Sequence, residues 1–160
     1  MRRIIQDKLL ESKKTGWEET RLGDFNLDKI KKEFDEVNIP ASFDFDQDSA
    51  TAIIITAATK KIDPDLLLFP NFWKSPSEEY ELLSVRISLF GKIFTTGWNV
   101  FLKEQRAAPF LEDPPNPESA DLQQKIIRLL EKEGFTYVTP KECNEMFEGK
   151  SLYTWLFDYY

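Results

Sequence analysis

A chain of 160 residues with 41% hydrophobic and 14% aromatic content has enough apolar surface for a single domain, residues 1–160, with its own core. It has no histidine and one cysteine, Cys143, which excludes a Ser-His-Asp triad, a Cys-His pair, a histidine-ligated metal, a thiolate zinc site and an internal disulfide. A net charge of −7 and a pI near 4.8 are the wrong sign for neutralising phosphates, so no nucleic-acid partner is expected and a basic protein partner is favoured.

The first residues, from Met1 to Lys14, carry arginines at 2 and 3 but no apolar run, because Asp7 and Lys8 interrupt it. Neither a secretory signal nor a membrane span is expected. The expected location is therefore cytoplasmic, with Cys143 a reduced thiol. Residues 2–14 read as a helix with Ile5, Leu9 and Leu10 on its apolar stripe, ended by Gly16. Asn26 is a fitting cap for a second helix, in which Leu27, Ile30, Phe34 and Val37 recur at helical spacing and which Pro40 stops.

Asp44, Asp46 and Asp48 alternate, so on a strand they share one face. A calcium loop of the EF-hand kind starting at Asp44 needs glycine at its sixth position and glutamate at its twelfth. Ser49 and Ile55 stand there. The cluster is therefore read as an acidic surface, and neither metal nor cofactor is expected. Residues 50–61 have both a helical face and six β-branched side chains; Ser49 as cap and Lys60-Lys61 at the far end favour a helix. Residues 63–77 are a loop in which Phe72 and Trp73 serve either as core anchors or as interface anchors.

Leu83, Val85, Ile87 and Leu89 alternate with Ser84, Arg86 and Ser88, which predicts a strand with its apolar side inward. Phe90-Gly91-Lys92 makes a turn, and Ile93–Val100 returns as the second strand of a hairpin, with Gly97 as a bulge. Residues 107–117, rich in proline, form a surface connection. Asn116 and Pro117 open a long helix with Leu122, Ile126, Leu129 and Leu130 buried, closed by Gly134. A short strand, 135–138, leads into a capping box from Thr139 to Glu142. The short helix behind it buries Cys143, Met146 and Phe147 and ends at Gly149. Leu152–Tyr160 reads as an aromatic strand or a turn-helix, with strand favoured, and places Trp155 in the core.

Glu78, Glu79 and Glu81 precede the hairpin, and Glu148-Gly149-Lys150 supplies an E-x-K triplet. The triplet straddles a helix end instead of lying on a strand, and the rest of a hydrolytic site is missing. Cys143 has no base to activate it and acidic neighbours at 142 and 145. The chain is therefore expected to be no enzyme, with no catalytic residues.

Ser84-Val85-Arg86-Ile87-Ser88-Leu89-Phe90-Gly91-Lys92, together with Gly134–Val138 and the closing Leu152-Tyr153-Thr154-Trp155-Leu156-Phe157-Asp158-Tyr159-Tyr160, resembles small bacterial immunity proteins of polymorphic and contact-dependent toxin systems. The resemblance covers about half of the chain, rests mostly on core positions and transfers no functional residue. It implies an α+β domain that binds a cognate toxin domain and blocks it. Acidic residues would steer a basic toxin surface, and aromatic anchors would slow its release. The expected fold is α+β, a small antiparallel sheet with a central hairpin covered by helices. The expected partner-binding residues are Asp44, Asp46, Asp48, Phe72, Trp73, Glu78 and Glu79. The alternative is a small-molecule or sensory binding domain with an aromatic pocket lined by Trp98 or Trp155.

Overall fold

Strands of alternating character build a sheet with two unlike faces. The computed structural model describes residues 1–15, 26–45, 52–63, 67, 78–88, 92–103 and 108–157. Strands β1 (Ala41–Phe45), β2 (Ala52–Ala58), β3 (Tyr80–Ser88), β4 (Ile93–Phe101) and β5 (Phe110–Leu111) pair in that order, each antiparallel to the next. Strand β6 (Thr136–Tyr137) joins β4 in parallel. The helices are α1 (Arg3–Thr15), α2 (Leu27–Glu36), α3 (Pro117–Lys132), α4 (Pro140–Cys143) and α5 (Leu152–Phe157), with a small hairpin of β7 (Met146–Phe147) and β8 (Lys150–Ser151) before the last. The fold is α+β, with an open, mostly antiparallel sheet and helices packed on it. No helix among the described residues is long and apolar enough to cross a membrane.

One face of the sheet carries Ile53, Ile55 and Ala57 from β2, Leu83, Val85 and Ile87 from β3, and Phe94 and Trp98 from β4. It is covered by Ile30 and Phe34 of α2 and by Leu122, Ile126, Ile127 and Leu130 of α3. The caps that hold these helices are the expected ones. Asn26 Oδ1 accepts from Lys29 N–H at 3.0 Å, and Asn116 Oδ1 accepts from Ser119 N–H at 2.9 Å, with Pro117 at the first turn. Thr139 and Glu142 close the capping box of α4. Gly134, at φ +86°, takes the left-handed turn after α3.

On the opposite face, the described residues form two packed clusters, one at each end. At one end Ala52 and Ile93 lie under Ile5 and Leu9 of α1, Cys143 of α4, Phe147, and Leu152, Trp155, Leu156 and Phe157 of α5. Ser88 Oγ, on this face of β3, donates to the Leu156 carbonyl at 2.6 Å. At the other end Ala58, Leu67, Tyr80, Leu82 and Phe101 pack together, with the Tyr80 and Phe101 rings stacked at 4.4 Å.

Several expectations are corrected. Residues 52–58 are strand β2, not helix. Ile53 pairs with Ile87 and Ile55 with Val85 across β3, where β-branched side chains pack well. The cap assigned to Ser49 lies outside the described residues. Leu152–Phe157 is a helix, not a strand, because Ser151 Oγ accepts from Thr154 N–H at 3.1 Å and caps it. Met146 is 65% exposed, since α4 stops at Cys143 and the chain enters β7. Gly149 ends no helix. With Glu148 at φ +47° and Gly149 at φ +82°, the pair forms the two-residue turn between β7 and β8. Gly97 is no bulge, for Ser84 pairs with it in unbroken register. Part of the connection at 107–117 joins the sheet as β5. Leu10 and Val37, assigned to buried stripes, are 38% and 54% exposed. Leu89 and the turn residues Phe90 and Gly91 lie outside the described residues.

Candidate functional site: the open face of the sheet

Between the two packed ends of the second face lies a groove of about 490 Å³. Strand register sets its floor. Asp44 is level with Ile54, then Arg86, then Thr95; Ser42 is level with Thr56, then Ser84, then Gly97; Leu82 is level with Asn99. Because side chains alternate across a strand, the sequence that sends Leu83, Val85 and Ile87 into the main core sends Ser84 and Arg86 here. Ser42 Oγ donates to the Leu67 carbonyl at 2.7 Å and ties β1 to the wall.

Two aromatic residues bound the groove. The Arg86 guanidinium lies 5.6 Å from the Tyr153 ring centroid, which fixes its direction towards α5. On the other side Phe110 of β5 lies over Gly97. A Cβ at position 97 would come 2.1 Å from Phe110 Cζ, so only glycine lets the ring lie this close. Phe110 is nonetheless 60% exposed. Thr95 Oγ1 is buried at the edge of the floor without a hydrogen-bond partner among the described residues. The Cys143 thiol feels this hydroxyl, but the two do not close a well-formed hydrogen bond.

Of the expected partner-binding residues, Asp44, Glu78 and Glu79 are among the described ones. Asp44 is exposed at the groove's rim on β1, the end strand of the sheet among the described residues. Glu78 and Glu79 are also exposed, just before β3. Glu79 is seven residues from Arg86, the residue level with Asp44, which puts about 23 Å of strand between the two acidic positions. Asp46, Asp48, Phe72 and Trp73 lie outside the described residues.

Trp98 and Trp155 are not among the residues that line the groove. Trp98 is buried in the main core and donates Nε1–H to Gln123 Oε1 at 2.7 Å; Trp155 donates to the Phe147 carbonyl at 2.7 Å. Glu81 receives Asn116 Nδ2 at 2.8 Å and Ser119 Oγ at 2.6 Å, which fastens β3 to the start of α3. Glu148 and Lys150 flank the glycine of a hairpin turn. Among the described residues no group of three or more His, Cys, Asp or Glu side chains is placed to hold a metal ion.

Cys143 is 3% exposed, and burial pushes its thiol up to about 11, with the Glu142 and Glu112 charges adding to the effect. The folded state thus favours the neutral thiol. This stabilisation is complete below the ordinary value of 9.0 and is lost as pH rises towards about 11. Burial raises Tyr137 in the same sense. Denaturant melts should therefore show stability falling through this alkaline window, less steeply in Cys143→Ala. A wild-type slope that the substitution leaves unchanged would mean that this thiol is not the group responsible. Thiol reagents at neutral pH should label the native protein far more slowly than the unfolded chain.

Phe110, Gly97 and Ser84 were not singled out as site residues from the sequence. The alternation in β3 placed Ser84 on the polar face, but only long-range pairing with β2, β4 and β5 makes that face a groove. Comparison of the chain with family models, curated proteins and solved structures found no match in any of the three.

Proposed function

We propose that this chain is an immunity-type protein, which binds a cognate bacterial toxin domain and inhibits it by protein contact, without a catalytic group of its own. The observation that carries the reading is the acidic surface. A net charge of −7 is joined by exposed acidic residues at Asp44, Glu78 and Glu79. Such a surface draws in a basic partner and speeds encounter. The likeness of the hairpin and the aromatic C-terminal segment to immunity proteins supports the same reading, which carries a cytoplasmic location with it.

Coexpression pull-down with the protein encoded beside this one tests the pairing. Stopped-flow association with that partner tests the mechanism. Replacing Asp44, Asp46, Asp48, Glu78 and Glu79 together by their amides should slow association and flatten its salt dependence, with a smaller effect on dissociation. The fold should persist, because exposed charges contribute little stability. An unchanged association rate at low salt would remove these carboxylates from the interface.

A further inference from the structure

We propose that the groove on the open sheet face is a binding site for an uncharged, polyhydroxylated ring compound of saccharide size, packed against Phe110 and hydrogen-bonded by Thr56, Ser84 and Asn99. The site is independent of the toxin-binding reading. Its floor is built for hydroxyl groups. Thr56 is directly across from Ser84 on one side, and Asn99 is on the neighbouring rung of β4 on the other. These side chains therefore span about two strand spacings, roughly 10 Å. All three are half-buried, and no side-chain hydrogen bond within the described residues occupies them. A serine or threonine hydroxyl both donates and accepts, and an asparagine amide presents one group of each kind. Sugar hydroxyls have the same dual character.

The groove's charges favour a neutral ligand. Arg86 and Asp44 are of opposite sign, and the Arg86 guanidinium is already turned onto Tyr153. Phe110 supplies the apolar surface that the C–H face of a pyranose needs. It is a large aromatic residue, mostly exposed, on a strand of two residues, and it is seated by a glycine that leaves its ring room. The cavity's 490 Å³ is within the range of small-molecule sites.

The experiment is calorimetric titration of the full chain with glucose, galactose, N-acetylglucosamine, maltose and lactose, with phosphate and glutamate as charged probes. At least one neutral sugar should bind saturably at one site, and neither charged probe should compete. Phe110→Ala and Ser84→Ala should each weaken that binding by about tenfold, the factor that corresponds to one lost contact. Gly97→Ala gives a second check. Its methyl forces the Phe110 ring aside while the backbone stays in register, so the melting temperature should remain near the wild-type value while affinity falls as in Phe110→Ala. The proposal is overturned if none of the five sugars binds at millimolar concentration. It is equally overturned if phosphate or glutamate binds more tightly than every sugar, or if sugar binding survives both Phe110→Ala and Gly97→Ala in folded protein.

Discussion

Ile87→Ala should lower the stability of the folded chain by about 2–5 kcal/mol. Ile87 is 0% exposed and lies in the middle of the sheet, directly across from Ile53 on one side and Phe94 on the other. The α2 and α3 side chains close over the cluster to which it belongs. Removing its outer carbons leaves a space bounded by two strands and two helices, none of which moves in without disturbing the others. The loss therefore includes a cavity as well as the transfer of the side chain. Urea titration followed by circular dichroism measures it. A loss below about 0.5 kcal/mol would mean that the side chain faces solvent, because a one-residue slip of β3 exchanges its two faces.

The same alternation explains what the sequence discloses and what it hides. The β3–β4 hairpin and the helices α2, α3 and α4 are legible because each has local signals that agree: strict alternation in one case, and Asn26, Asn116-Pro117 and Thr139–Glu142 as caps in the others. Strand β2 is hidden because it is central. Ala52 and Ala58 are buried on one face and Ile53, Ile55 and Ala57 on the other, so Thr56 alone is polar and a single residue marks no period. Helix α5 is hidden for the opposite reason. It has six residues, too few to show a period, and its one signal is Ser151.

The groove is hidden in a third way. Ser84, Arg86 and Ser88 are polar positions of one strand, and a single strand says only that they face away from the core. The structure gives them different fates. Ser88 is buried beneath the Leu156 carbonyl, while Ser84 and Arg86 floor an open groove. What separates them is where α5 lands, a contact 68 residues away in sequence. Gly97 is similar. Its local reading is a bulge, and its actual partner is a ring on β5 that no pattern around position 97 announces.

Leu156→Ala should also cost about 2–5 kcal/mol, and this result bears on whether the two ends of the chain belong to one cooperative unit. Leu156 is 0% exposed, packed with Ile5 and Leu9 of α1, Ala52 and Ile93 of the sheet, and Val138. The helix makes this possible. On a strand the adjacent residues Trp155 and Leu156 would point to opposite faces, whereas both are buried here, at 7% and 0% exposure. The Leu156 carbonyl also receives Ser88 Oγ at 2.6 Å, so displacement of α5 would exchange that hydrogen bond for one to water, adding a net loss of about 0.5–1.5 kcal/mol. The apolar cluster under α5 and the main core meet the sheet from opposite sides and share β2, β3 and β4. Loosening one should therefore weaken the other. Unfolding of Leu156→Ala should remain a single transition, with tryptophan fluorescence and far-ultraviolet circular dichroism moving together to a lower midpoint. A midpoint within about 0.5 kcal/mol of wild type would show that α5 is not packed as described. Separation of the two signals would show that α1 and α5 unfold from the sheet on their own.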